Sequence, residues 1–503
     1  MTTNVYVHID SLEKNLTTRI AELKKNSASL IPFREVIENA LSDGKSYYGI
    51  NTGFGLLATK RVELDSILEL QRNLVLSHSV GVGALIPKEI SRLMLQLKIH
   101  ALGLGHSGVT QATFKQLCLL LEKDLIPAVP EKGSVGASGD LAPLAHLALP
   151  LIGEGIVWDG CGIHTLTAAS ALKEHNLSPV TLQAKEGLAL LNGTQFMTAH
   201  GAYVLSRTSQ LLKMCDIIGA MSLEAARGSK SPFLAKVQAL RPHDGQAHAA
   251  SNILKLLDGS TILESHKECS KVQDPYSLRC MAVVHGASRG ALMHASQVIE
   301  TEMNSVTDNP LVFDDGDIIS AGNFHGQPIA LAMDYAALAL AELASISERR
   351  TYLLLSGYDE LPQFLIEESG LHSGFMIPQY TQAALVSENK VLAHPASVDS
   401  IPTSNGQEDH VSMGSISATK LLKIFYNVQH VLGIELLCAA QALDFRKPLT
   451  SGKGIVMAHS MVRSRIPHRT HDSTFQDDFE RVFSFLSSDE IIQAVESEIG
   501  ELL

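Results

Sequence analysis

Four stretches of this 503-residue chain, 195–229, 281–307, 327–356 and 414–442, are rich in Ala, Leu, Met and Ser and carry few Gly or Pro to interrupt them. Runs of that length suit helices rather than strands, and small side chains at helical spacing let helices approach closely. They predict a mainly α fold built on a bundle of long helices. The first 195 residues read differently. Helical periodicity runs over 10–43, 62–79, 88–102 and 110–124, and these stretches close on Gly or Pro. Residues 153–185, with Gly, scattered β-branched residues and the single Trp158, predict short strands or hairpins. The expected organisation is a smaller mixed amino-terminal domain, 1–195, followed by a long-helix domain, 196–503.

Composition excludes several classes of partner. A net charge of −13, with no dense Lys/Arg cluster, leaves no basic face for phosphate backbones, so nucleic acid is not expected and a small molecule is. The opening MTTNVYVHIDSLEKN has neither a basic leader nor an apolar core, and no apolar run of spanning length is free of Pro or charge. A cytoplasmic location without membrane contact is expected. The six cysteines, Cys118, Cys161, Cys215, Cys269, Cys280 and Cys438, form no CxxC pair and read as reduced, buried thiols. Of the 21 histidines, the close pairs His243/His248 and His468/His471 lack a third ligand at zinc-site spacing, so no metal ligand is predicted. Gly103-Leu-Gly105-His-Ser-Gly108 matches a dinucleotide fingerprint but follows a helical run instead of a strand, and reads as a helix–helix turn.

The stretch that carries chemistry is Ala137-Ser138-Gly139, set between Pro127-Ala-Val-Pro130 and the apolar run from Leu141. Small residues that permit a tight backbone are here placed in the interior of the chain. If the Gly139 nitrogen meets the Ala137 carbonyl carbon, the backbone closes to a five-membered ring. Loss of two waters then turns Ser138 into an exocyclic methylene, an electrophile that no ordinary side chain provides. Around it in sequence lie loop and helix-end groups able to converge: Tyr48, Asn192, Gln273, Tyr276, Arg279, Asn323, Phe324, Gln407 and Glu408.

The segment GSVGASGDLAPLAHLALPLIGEG resembles the prosthetic-group segment of the aromatic amino acid ammonia-lyases. The resemblance continues through YGINTGFG, LVLSH, LLNGTQ, QDPYSLRC, GNFHG and QEDHVSM, in family order from residue 48 to about 413. It implies a homotetramer whose active sites combine loops from several subunits. No external cofactor is implied, but a self-made 4-methylidene-imidazol-5-one from Ala137, Ser138 and Gly139. Tyr48 would be the base, Asn192 and Tyr276 would support the electrophile and the developing charge, and Arg279 would grip the substrate carboxylate bidentately. Gln273, Asn323, Phe324 and Gln407 complete the expected substrate contacts.

Substrate choice is expected to lie with Ser77-His78 and with Glu408. Family members acting on histidine have Ser-His at the first pair and Gln-Glu-Asp-His at the second, as here in Gln407-Glu408-Asp409-His410. A carboxylate accepts a hydrogen bond from an imidazole and is stranded against a phenyl ring. The resemblance therefore implies elimination of ammonia from L-histidine to give trans-urocanate. A tyrosine lyase or aminomutase is the alternative in the same class, and a catalytically silent helical scaffold the alternative outside it. Two departures from the family pattern, Asn405-Gly406 for Ala-Asn and Met281-Ala-Val283 for Gln-Pro-Gln, bear on substrate preference and loop position.

Overall fold

The computed structural model of the chain describes residues 6–53, 62–267 and 271–503. Helix dominates, as the periodicity predicts. Three of the four long runs are single helices, Met281–Met303, Gln327–Leu355 and Gly414–Asp444. The fourth is broken into Gln195–Leu205 and Thr208–Ala225. At the break the Ser206 hydroxyl turns back to donate to the Tyr203 carbonyl at 3.1 Å, a local bond that competes with helix continuation. By length and mean hydropathy alone Gln327–Leu355 and Gly414–Asp444 are long and apolar enough to cross a membrane, but each carries charged residues, among them Asp334 and Glu342 in the first and Lys420 and Glu435 in the second. Their apolar windows are 67% and 78% buried inside the fold, as in core helices of a bundle.

Among the described residues the strands form three two-stranded antiparallel ribbons. The one expected within 153–185 is the hairpin Ile156–Trp158 with Thr165–Thr167, paired Val157 to Leu166. It is followed by a helix, Ala168–Glu174. The other two, Val82–Leu85 with Pro130–Lys132 and Leu311–Val312 with Ile318–Ile319, join segments that the sequence does not mark as strand.

The chain divides into two compact units, but not at residue 195. One comprises 1–206, 295–334 and 395–421, and the other 207–294, 335–394 and 422–503. Composition along the chain could not reveal this division, because three of its five boundaries fall inside the three longest helices.

In the first unit the Lys88–Gly103 helix packs between Leu12–Lys25 and Gln195–Leu205, and the short helices Leu141–Ala148 and Glu186–Leu191 pack against Ile67–His78. The glycines at 105 and 108 turn the chain into the Gln111–Glu122 helix. Both have positive φ, and a β-carbon on either would stand 2.5 to 2.6 Å from Phe33 or Ile37. That is the helix–helix turn expected of them.

The second unit has a polar core. Arg350, wholly buried, donates twice to Glu435, at 2.5 and 2.9 Å. Removing either partner would leave an unpaired buried charge and cost about 3–5 kcal/mol. Of the cysteines, Cys118, Cys215 and Cys438 are buried as expected and Cys280 is half-buried. Cys161 is exposed. Cys269 lies outside the described residues.

Candidate active site

Ala137, Ser138 and Gly139 form a turn between the Pro130–Lys132 strand and the Leu141–Ala148 helix. Gly136, Ser138 and Gly139 all have positive φ, at 80°, 54° and 77°. For serine this is a sparsely populated conformation that the surroundings must impose. They do so through Gly193. The Gly193 amide donates to the Ser138 carbonyl at 3.3 Å, and the Asp140 amide donates to the Gly193 carbonyl at 2.7 Å.

Asp140 anchors the other side of the turn. Its wholly buried carboxylate accepts from the Met197 amide at 3.0 Å, at the start of a helix, and lies 3.0 Å from the Ser415 hydroxyl. Burial pushes this carboxyl up to about 7, against the lowering effect of those donors. The Met413 amide donates to the Val135 carbonyl at 3.0 Å. The tripeptide is thus clamped between segments some 60 and 275 residues away in sequence, a rough count from Asp140 to Met197 and to Ser415.

Ser138 opens onto a cavity of about 500 Å³. Six predicted residues line it together: Tyr48, Ser77, His78, Ser138, Asn192 and Glu408. Tyr48 stands on a tight turn held by buried Asn51, whose side chain accepts from the Tyr47 amide at 2.7 Å and donates to the Lys45 carbonyl at 2.8 Å. Phe54 and Gly55 of the same motif lie outside the described residues.

His78 comes from the last turn of the Ile67–His78 helix, whose cavity face also carries Leu70, Asn73, Leu74 and Ser77. Its Nδ1 is 2.8 Å from the Leu74 carbonyl and so carries the hydrogen, which leaves Nε2 as an acceptor. Burial lowers its pKa and keeps the ring neutral at neutral pH.

Glu408 follows a loop in which Ser404, Asn405 and Gly406 all have positive φ, and it is pinned by the Thr403 amide donating to its carbonyl at 3.0 Å. Its Oε2 is buried and has no hydrogen-bond partner among the described residues.

Asn192 is almost fully buried, and its side-chain nitrogen has two acceptors. It donates to Asp308 Oδ1 at 3.2 Å and to the Asn309 carbonyl at 2.6 Å. Its Oδ1 has no partner among the described residues.

Asn323, Phe324 and Gln407, in the same unit, are not among the residues that line this cavity. Asn323 is exposed and donates to the Val306 carbonyl at 3.3 Å, Phe324 is half-buried, and Gln407 is exposed. Gln273, Tyr276 and Arg279 belong to the second unit. Tyr276 is 71% exposed, and the Arg279 guanidinium lies 4.5 Å above its ring while donating to the Asp274 carbonyl at 2.9 Å. Gln273 is exposed in a separate cleft of about 270 Å³, beside Arg227 and Lys271.

Several lining or supporting groups escape the sequence reading: Asn73, Ser404, Asp140, Lys98 and Asp308. Asn73 was readable, because it sits four residues before Ser77 on the same helix face. Lys98 and Asp308 carry no local signal at all. Among the described residues no group of three or more His, Cys, Asp or Glu is placed to hold a metal ion.

The family model for aromatic amino acid lyases matches residues 13–464. The chain belongs to the aromatic amino acid lyase family. As such it is an enzyme, a carbon–nitrogen lyase. The histidine ammonia-lyase of Sorangium cellulosum is 51% identical over 491 residues, 96% of this chain and 95% of that one. The structure of histidine ammonia-lyase from Trypanosoma cruzi matches with a TM-score of 0.86 at 41% identity, over 93% of this chain and 89% of that chain. Tyrosine aminomutase from Streptomyces globisporus matches with a TM-score of 0.89 at 35% identity, over 99% of both chains. The mainly α architecture is thus that of the aromatic lyases.

Proposed function

We propose that this lyase eliminates ammonia from L-histidine to give trans-urocanate. The observation that carries this reading is the buried, unpartnered Oε2 of Glu408, a residue that lines the cavity onto which Ser138 opens. A buried acceptor without a donor costs about 1–3 kcal/mol until a ligand N–H or O–H reaches it. An imidazole provides that N–H and a phenyl ring does not. The roughly 50% identity to histidine ammonia-lyases along nearly the whole chain supports the same substrate.

The turn fits a self-made methylidene-imidazolone. Residue 139 has room for no β-carbon, and Ser138 and Gly139 are already held in left-handed conformations. That group supplies an electrophile that bonds the substrate amine and makes it a better leaving group. Tyr48 takes the β-proton as its phenolate, an anion favoured by the amino end of the Leu141–Ala148 helix, which begins at the cavity wall. Tyr276, Gln273 and Arg279 join the cavity from another subunit of a homotetramer, where Arg279 holds the substrate carboxylate. The exposure of Gln273 and Tyr276 in the single chain supports this assignment.

The test is ammonia release by purified protein with histidine, tyrosine and phenylalanine, alongside the intact mass. Release from histidine with the mass of two waters missing is the expected result. Faster release from tyrosine would assign Glu408 to a phenol, and a full mass with no release would make the chain a silent scaffold.

A further inference from the structure

The hydroxyl of Ser134 reaches across the tripeptide in which a ring would close. It accepts the Gly136 amide at 3.1 Å and donates to the Gly139 carbonyl at 3.4 Å, so one oxygen joins the two ends of the turn 136–139. A serine that accepts from the amide two residues on makes a local turn, a common use of a short hydroxyl side chain. The second bond does more, because it returns to the chain on the far side of Ala137 and Ser138. It is long for a hydroxyl donor, so it steers Gly139 without fixing it.

The hydroxyl is itself held. Ser415, in the first turn of the Gly414–Asp444 helix, donates to Ser134 Oγ at 2.7 Å. With the Gly136 amide and Ser415 as donors, both acceptor sites of the Ser134 oxygen are filled and its single hydrogen is left for Gly139. Closure of a five-membered ring requires the chain to fold tightly at Ser138, and the left-handed conformations of Gly136, Ser138 and Gly139 begin that fold. An extended chain would carry the Gly139 nitrogen away from Ala137. For serine the left-handed state is costly, so a contact that holds the ends of the turn together offsets a real penalty.

We propose that Ser134 is a positioning residue for the self-modification of Ala137, Ser138 and Gly139, its hydroxyl holding the Gly136 amide and the Gly139 carbonyl on one oxygen so that the Gly139 nitrogen stays near the Ala137 carbonyl carbon. The proposal rests on the methylidene-imidazolone reading and deepens it. In the closure the Gly139 nitrogen bonds to that carbon while its proton passes to the carbonyl oxygen. This oxygen leaves as water with the proton of the Ser138 nitrogen as a C=N bond forms. The Ser138 hydroxyl leaves as a second water with the Cα proton as the methylene forms. No oxidant or co-reactant is needed. What Ser134 supplies is proximity, which speeds an intramolecular step without entering it.

The experiment follows the intact mass of soluble, folded protein, sampled at intervals after synthesis begins, for wild type, Ser134→Ala and Ser134→Thr. Wild type should lose two waters. Ser134→Ala is expected to lose them roughly tenfold more slowly, the scale of one missing hydrogen bond, leaving a folded population at full mass. Ser134→Thr keeps the hydroxyl and should follow wild type. A merely structural serine would lower the yield of soluble protein and leave its mass as in wild type. Loss of both waters by Ser134→Ala at the wild-type rate therefore overturns the proposal, as does a Ser134→Thr chain as slow as Ser134→Ala. If Ser134→Ala does not fold, Ser134→Cys takes its place. Its thiol is a weak donor, so closure should slow by roughly threefold or more, and closure at the wild-type rate again overturns the proposal. A wild-type chain that keeps both waters is a different failure, that of the methylidene-imidazolone reading itself.

Discussion

The backbones of Gly139 and Gly193 run so close together that a β-carbon on residue 139 would stand 2.0 Å from the Gly193 carbonyl oxygen. Neither partner is a side chain that can swing away, so the close approach excludes every residue but glycine. Gly139→Ala is therefore expected to break the turn and prevent ring closure at Ser138. Intact mass should show both waters retained, and turnover should fall by roughly a thousandfold or more, about 4 kcal/mol in transition-state terms. A variant that still loses two waters would show that the approach of Gly193 does not shape the turn.

Tyr48→Phe keeps the ring on its Asn51-braced turn and removes only the hydroxyl. Packing should hold, with kcat falling by roughly a hundredfold or more and KM changing little, because proton abstraction is made only in the transition state. Steady-state kinetics check this. An unchanged kcat would transfer the base to Tyr276.

The parts of this fold that were legible in sequence are those set by local pattern. Uninterrupted Ala/Leu/Met runs give three of the long helices, and the lone Gly-rich, β-branched stretch gives the Ile156–Trp158 hairpin. Strands of two or three residues, such as Leu311–Val312, are too short to show a period. The same limit governs the site. Tyr48, Ser138 and Glu408 sit in motifs, whereas Asp308 and Lys185 meet across 123 residues and nothing near either announces the pair. Tyr276 and Arg279 were legible as motif residues. The exposure of Tyr276 was not, because a sequence does not say which surface a loop faces.

Two buried histidines make the fold acid-sensitive. Burial lowers His100 and His200 to about 4, and His200 Nε2 and both ring nitrogens of His100 lack partners among the described residues. Between about 4 and 6.5 the unfolded chain binds protons that the folded chain does not, so stability falls as pH drops through that window. Asp140, raised to about 7, acts in the opposite sense over much of the same range. The difference made by one variant is the clean measure. His200→Leu should flatten the loss of stability between pH 6.5 and 4.5 by about 1 kcal/mol per pH unit, read from urea midpoints. Parallel wild-type and variant curves would mean that His200 does not titrate on unfolding.

In the proposed reading substrate choice turns on Glu408, whose loop is held by the bond from the Thr403 amide and whose Oε2 is without a donor among the described residues. When the ring that enters carries an N–H, this oxygen is satisfied. When a phenyl ring enters, it stays buried and unpaired, and a pocket built this way can reject the wrong ring by roughly ten-thousandfold. The wild type should act on histidine and barely on phenylalanine. Glu408→Gln keeps the shape and one carbonyl oxygen but removes the charge. Histidine turnover should drop by roughly a hundredfold, the scale of removing one charged hydrogen bond from the transition state, while the slow turnover of phenylalanine does not fall in parallel. Ammonia release from both amino acids, by wild type and variant at equal substrate concentration, decides the matter. If Glu408→Gln leaves histidine turnover intact, or lowers both substrates alike, the carboxylate does not read the ring.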